Sequence, residues 1–80
     1  MESPMNELEL ENFIKYRNKA LLSLDIGWAR ENDPRLKDRS DEFVLIVLHK
    51  ARANSTGLPR GVRQRSKGWL RRNGYSENIG

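Results

Sequence analysis

Apolar side chains in the N-terminal third of the chain recur at helical spacing. At about 100° per residue, one side of the helix carries Leu10, Phe13, Ile14, Ala20, Leu21 and Leu24, and Glu11 and Lys15 fall opposite. The dipeptide Ser3–Pro4 matches the residue types favoured at an N-cap and at the first helical position. The pattern therefore predicts an amphipathic first helix over residues 5–24.

The most hydrophobic part of the chain is the uninterrupted run 43–48. Because this run is apolar on every side, it fits either a buried helix or a buried strand. Its flanks favour a helix, since acids precede the run and cations follow it, as the helix dipole prefers. We expect a second helix over residues 40–53, with Asp38 or Ser40 as its N-cap.

The segment between these two helices contains turn-forming residues. Gly27 interrupts the helical pattern, and Asp33–Pro34 is a turn signal. We expect residues 25–38 to form either an irregular connection or a short additional helix, with Trp28 packed on the core and Leu36 at its edge.

Turn chemistry at residues 54–57 separates the second helix from a cationic C-terminal segment. We expect a third helix over residues 59–73, capped by Ser55 or Thr56 and followed by Gly74 in a Schellman-type end. The narrow apolar side of this helix comprises Val62, Ser66, Trp69 and Leu70, with Tyr75 at the position of the Schellman contact.

These elements predict an all-α fold: a small three-helix bundle, or four helices if residues 25–38 contain one. The chain reads as a single domain over residues 1–80 with a loose tail at 75–80. The second helix has more apolar surface than two short neighbours cover, so Leu45 and Leu48 are assigned to a second subunit or a partner. The predicted core comprises Leu10, Phe13, Ile14, Leu21, Leu24, Trp28, Phe43, Ile46, Val47, Val62, Trp69 and Leu70.

Size and composition exclude several classes of protein. With 80 residues and no cysteine, the chain has room for one small core and offers no disulfide or cysteine metal site. A membrane-spanning helix needs about 20 apolar residues, whereas the longest apolar run has six. With no basic leader followed by an apolar segment, we expect a cytoplasmic protein with no membrane partner.

The formal net charge of +4 conceals a strong asymmetry. Residues 1–49 carry ten acids and seven cations, whereas residues 50–80 carry eight cations and a single acid, Glu77. Such a division indicates a C-terminal part that faces a polyanion. The alternative is that the two parts neutralise one another within the fold. However, the excess of cations in the C-terminal part is larger than the excess of acids in the N-terminal part.

The cations of the third helix are the main candidate binding site. Helical spacing places Arg60, Arg63, Lys67 and Arg71 on one side, with Arg65 and Arg72 on a flank and Arg52 assisting from the second helix. Arginine predominates, and its guanidinium group binds phosphate oxygens in pairs. A solvated helix face is the alternative, but such a face usually alternates charge signs. We therefore expect a nucleic-acid-associated accessory protein that binds the phosphates of DNA or RNA.

Two other interpretations stay open at this stage. The basic helix could dock on an acidic host protein, as a small modulator or inhibitor of the kind that phages and mobile elements encode. A homodimer through the second helix, with no other partner, is the third. A helix, a turn and a basic helix also share the outline of a helix-turn-helix, but the second helix is too apolar to cross a DNA backbone, so we assign no family.

No group of residues points to catalysis or to a metal. His49 is the one histidine, and the nearest acids in the sequence, Asp41 and Glu42, lie two turns away. Trp28 and Trp69 are interpreted as core residues rather than as platforms for stacked bases. We expect a protein that is not an enzyme and that has no catalytic residue, metal or cofactor.

Overall fold

The computed structural model describes residues 6–78, and within them every regular element is helical. α3 contacts each of the other three α-helices, and its most extensive contact is with α4. The predicted all-α class is confirmed, and residues 25–38 contain a short additional helix. The elements are α1 (Glu7–Ser23), α2 (Ile26–Asn32), a 3-10 helix (Pro34–Leu36), α3 (Asp41–Ala53) and α4 (Arg60–Arg72).

The start of α1 is set by Asn6. Its side-chain oxygen accepts a hydrogen bond from the Glu9 backbone N–H at 2.8 Å, which satisfies one of the unpaired donors of the first turn. Glu7 and Glu9 also lie in this turn, where the helix dipole stabilises carboxylates. The expected cap at Ser3 lies outside the described residues.

α1 ends at Leu24, which adopts a left-handed conformation with a φ of 52°. The Asp25 N–H then donates to the Ala20 carbonyl at 2.9 Å, which gives a Schellman-type end. Asp25 caps α2 in turn, because its carboxylate accepts from the Trp28 N–H at 3.0 Å. The expectation that Gly27 breaks the helical pattern is therefore wrong: the break lies at Leu24, and Gly27 is inside α2.

The two remaining helices start differently. Ser40 is the N-cap of α3, since its hydroxyl accepts from the backbone N–H three residues later at 3.2 Å. α4 starts directly after Pro59 and has no side-chain cap. The expected cap by Ser55 or Thr56 is wrong, because the chain makes a further turn first, in which the Leu58 N–H donates to the Ser55 carbonyl at 3.1 Å.

The end of α4 follows the predicted Schellman pattern. Gly74 has a φ of 78°, a left-handed conformation in which a Cβ atom is disfavoured. The Tyr75 N–H donates to the Leu70 carbonyl at 2.8 Å, and the Tyr75 ring stacks on Trp69 with 6.3 Å between ring centroids. Both predictions for this end, Gly74 and the contact of Tyr75, are confirmed.

The chain after Tyr75 is attached to α3 and α4. The Asn54 side-chain amide donates to the Glu77 carbonyl at 2.7 Å, and the Glu77 carboxylate lies 3.6 Å from the Arg71 guanidinium. The tail expected to be loose over residues 75–80 is therefore held at Glu77. Residues 79 and 80 lie outside the described residues.

The core forms where α1, α2 and α4 meet α3. Leu21 and Leu70 are fully buried as predicted, and the predicted residues Leu24, Trp28 and Val47 are partly buried against the core. Val62 also packs against the core, and Ile46 and Trp69 are partly buried. The buried apolar residues are Ala20, Leu21, Ala29, Leu36, Val44, Leu48, Ala53, Leu58 and Leu70.

Four residues of the predicted core are exposed instead. Leu10, Phe13 and Ile14 lie in the N-terminal half of α1, and Phe43 lies in the first turn of α3. The physical reason is geometric: only the C-terminal half of α1 packs on the core, and every described residue from Asn6 to Tyr16 is exposed.

The assignment of Leu48 to a second subunit is also wrong. Leu48 is 2 % exposed and belongs to the core of its own chain, next to Val44 and Leu36. The prediction assumed that two helices pack against α3, whereas three helices do so in the structure. Leu45 is partly buried.

Replacing Leu48 with alanine tests this assignment. Because the side chain is buried within one chain, we expect Leu48→Ala to lower the free energy of unfolding by about 2–5 kcal/mol. Leu8, which is 67 % exposed, provides the control: Leu8→Ala should change it by less than about 0.5 kcal/mol. Urea unfolding followed by circular dichroism measures both, and equal losses would contradict the core described above.

Candidate functional site

The predicted cationic segment forms one continuous helix, α4, held along α3 by its narrow apolar side. Ser66 and Leu70 are completely buried, and Val62 and Trp69 are partly buried on the same side. This confirms the predicted apolar side of the helix. Since helical spacing fixes the other positions relative to this side, Arg60, Gln64 and Arg71 lie on the opposite side of the helix.

Most of the predicted binding residues are accessible. Arg60, Arg65, Arg71 and Arg72 are exposed, whereas Arg63, Lys67 and Arg52 are partly buried. Arg63 has a structural contact, because its Nε donates to the Leu58 carbonyl at 3.2 Å and so attaches the helix to the preceding turn. The six cations of α4 are therefore not equivalent, and Arg63 is the member whose removal also disturbs the fold.

Very little of this charge is neutralised within the described part of the chain. Residues 6–78 contain three ion pairs: Arg30–Asp41, Arg35–Asp33 and Arg71–Glu77. Only the last involves a predicted binding residue, and at 3.6 Å between exposed groups it contributes at most about 1 kcal/mol. The acids of α1, α2 and the start of α3 do not reach the basic helix.

The cations flank a strip of α4 that carries no large apolar side chain. By helical spacing, Gly61, Gln64 and Gly68 lie between the row of Arg60, Lys67 and Arg71 and the flank of Arg65 and Arg72. A Cβ atom built at Gly61 would have no heavy atom within 4 Å, so the surface there is open. At Gly68 a Cβ atom would lie 3.4 Å from the Arg72 guanidinium, so that side chain lies against this part of the strip. The strip itself carries no charged residue and is open at Gly61, with cations on both edges.

Arg52 of α3 lies near Arg65 of α4, at the edge of this surface. Burial, and then the nearby charge of Arg65, lowers the pKa of Arg52. The Arg52 Nε is buried and has no hydrogen-bond partner within residues 6–78. Two like charges close together with no carboxylate between them repel one another, and an anion bound beside them would offset that repulsion.

A buried histidine, His49, which the sequence linked to neither catalysis nor a metal, joins α3 to α4. The His49 Nδ1 lies 3.0 Å from the Ser66 hydroxyl and the two are hydrogen-bonded. The imidazole also stacks on Trp69, with ring centroids 4.0 Å apart and planes 10° from parallel. The only sequence signal was a serine on the apolar side of α4, which needs a polar partner when buried.

The environment of His49 disfavours its charged form. Burial, and then the positive charge of Arg52, lowers the pKa of His49 below its usual value. The histidine is therefore held neutral in the folded protein, where it serves as a packing and hydrogen-bonding group between α3 and α4.

Within residues 6–78, no group of three or more His, Cys, Asp or Glu side chains is placed to hold a metal ion. No helix in this part of the chain combines the length and the apolar character needed to cross a membrane.

Comparisons with protein-family models, with curated proteins and with solved structures found no match to this chain.

The neutral state of His49 predicts a pH dependence of stability. Since the folded state lowers the pKa of His49, the unfolded state binds the proton more readily, and stability decreases as the pH falls below the unfolded pKa of about 6.5. The His49→Asn variant cannot ionise and loses the stack on Trp69. We expect it to be less stable at pH 7.5 but nearly independent of pH down to about 5.5.

Thermal unfolding at several pH values measures this difference. The chain has one histidine, so no other side chain is expected to titrate in that range. An equally steep loss of stability in wild type and in His49→Asn would contradict the assignment of the pH dependence to His49.

Proposed function

We propose that this protein binds nucleic acid by holding phosphate groups with the cations of α4 and the adjoining Arg52. The observation that carries the proposal is the uncompensated charge: of these seven cations, only Arg71 has a carboxylate partner within residues 6–78. Such charge is stable on a protein surface only as long as water and counterions screen it, and a polyanion replaces those counterions favourably. A cytoplasmic location forms part of the proposal.

The exposed side of α4 favours a nucleic acid over an acidic protein. Protein interfaces usually have an apolar centre with aromatic side chains. The centre of this side has Gly61, Gln64 and Gly68 instead, and the large exposed hydrophobic residues of the described chain lie on α1, at Phe43 and at Tyr75. Arginine at six of the seven positions further supports bidentate binding of phosphate oxygens.

The arrangement also supports a mode of binding. An α-helix with its side chains is about 10–12 Å wide, close to the width of about 12 Å of the B-DNA major groove. With α4 in the groove, cations on its two edges reach phosphates of the two strands, and Gly61 allows a close approach. Gln64 is the one side chain of the central strip that can bond to a base edge, so we expect little sequence preference.

Salt dependence tests the phosphate contacts. If about five cations contact phosphates, the logarithm of the binding constant should fall with the logarithm of salt concentration with a slope of about −4 to −5. Fluorescence anisotropy with labelled duplex DNA measures the slope, and duplex RNA provides the comparison. We expect tighter binding to DNA, since the major groove of A-form RNA is too narrow for a helix.

A charge-matched pair of variants tests the location of the site. Arg65→Gln with Arg72→Gln removes two exposed cations of α4, and Lys15→Gln with Lys37→Gln removes two exposed cations elsewhere. The first variant should have a slope shallower by about 2 and bind roughly 30-fold more weakly at ~150 mM salt. The second has the same net charge and should bind much more like wild type.

Two outcomes would contradict the proposal. Equal losses in both variants would mean that only the net charge matters, not the surface of α4. Recovery from a native lysate of a discrete protein that nuclease treatment does not release, together with no measurable binding to DNA or RNA, would instead favour the acidic-protein alternative. Circular dichroism of both variants confirms that they are folded.

A further inference from the structure

Within residues 6–78, an apolar stripe on α1 is left substantially exposed. Leu10, Phe13 and Ile14 are 47 %, 40 % and 43 % exposed, although helical spacing places them on the side of α1 that packs on the core further along. The stripe continues into a shallow hollow on the same chain. Its lining includes Phe13, Arg17, Leu21, Trp28, Val47 and Ala51. Exposed apolar surface of this kind marks an interaction site.

The charges along this stripe indicate what covers it. Glu9, Phe13 and Arg17 are spaced four residues apart and form one row along the helix. Glu9 and Arg17 are equally distant from Phe13 and opposite in charge, and neither forms an ion pair within residues 6–78. A row with this order is complementary to itself when it is turned end to end.

We propose that the occupant is a second copy of this chain, docked antiparallel along α1 with the two-fold axis at Phe13. In this arrangement, Phe13 of each copy packs against Phe13 of the other. Glu9 of each copy faces Arg17 of the other, so the same ion pair forms twice, as the symmetry of a two-fold dimer requires. Leu10 of the second copy lies next to Arg17, at the hollow beside Leu21.

The same two charges favour the antiparallel direction. Parallel pairing about Phe13 would place Glu9 beside Glu9 and Arg17 beside Arg17, at a cost in affinity. The residues Glu11, Lys15 and Lys19 lie away from the stripe and do not take part in the pairing.

This interface differs from the homodimer expected through the second helix, where Leu48 has proved to be buried. It also does not depend on the proposed binding of nucleic acid, because it uses no residue of α4. The oligomeric state of the protein without nucleic acid therefore tests the proposed dimer independently.

Two glutamine variants with a matched control test the stripe. Leu10→Gln with Ile14→Gln removes its apolar character, and Leu8→Gln with Leu22→Gln changes two exposed apolar residues on other sides of the same helix. Glutamine is a good helix former, so neither variant should unfold α1. Sedimentation equilibrium of the full chain should show a dimer for wild type and the control, and a monomer for the stripe variant.

Three results would overturn the proposal: a monomeric wild type, a stripe variant that dimerises like wild type, or a control variant that dissociates equally. Nucleic acid is absent from these samples, so failure of the dimer leaves the proposed function of α4 untouched.

Charge reversal tests the antiparallel direction. Glu9→Arg places arginine opposite Arg17 and should weaken the dimer roughly tenfold, since two ion pairs become two repulsions. The double variant Glu9→Arg with Arg17→Glu exchanges the two charges and should recover most of the lost affinity, although it still lacks the Glu9 carboxylate that favours the first turn of α1. An unchanged dissociation constant for Glu9→Arg, which alters an exposed residue, would overturn the antiparallel arrangement even if the Arg17 variant failed to fold.

Discussion

The contact between α3 and α4 is the constraint on which the rest of the structure depends. α4 is a poor helix by composition, because it contains two glycines that each cost about 1 kcal/mol relative to alanine. Its cations at positions 63, 67 and 71 also repel one another at a spacing of four residues. The helix therefore owes its stability to packing on α3, through Leu70 and through the hydrogen bond of Ser66 with His49.

The same contact determines where the charge is displayed. His49 is hydrogen-bonded to Ser66 and stacks on Trp69, and these two contacts hold α4 in one orientation about its own axis. In this orientation the exposed arginines point away from the acids of α1 and α3. A buried polar pair of this kind specifies a single arrangement where an apolar contact alone would tolerate several. The core and the cationic surface of this small domain thus both depend on the contact between α3 and α4.

Much of this arrangement could be predicted from the residues because it is local. Periodicity identified the apolar side of α4, and capping chemistry identified Gly74 and left Asp38 and Ser40 as the two candidate caps of α3. Two kinds of information were not local. Leu10 and Ile14 have the spacing of core residues, and nothing in the spacing says that α1 extends beyond its neighbours. The pairing of His49 with Ser66 joins residues 17 positions apart, which no short pattern reveals.

The exposed stripe of α1 therefore has a different meaning from an error in the predicted core. The stripe continues the side of α1 whose C-terminal part is buried against the core. Its residues therefore have the same helical spacing and the same apolar character as the buried ones. A domain of this size buries a modest fraction of its surface and gains much from covering more. The surface that covers an acidic-to-basic row most readily is the same row reversed. The helical spacing of the stripe thus favours its burial, and the order of its charges favours a second copy of this chain as the proposed occupant.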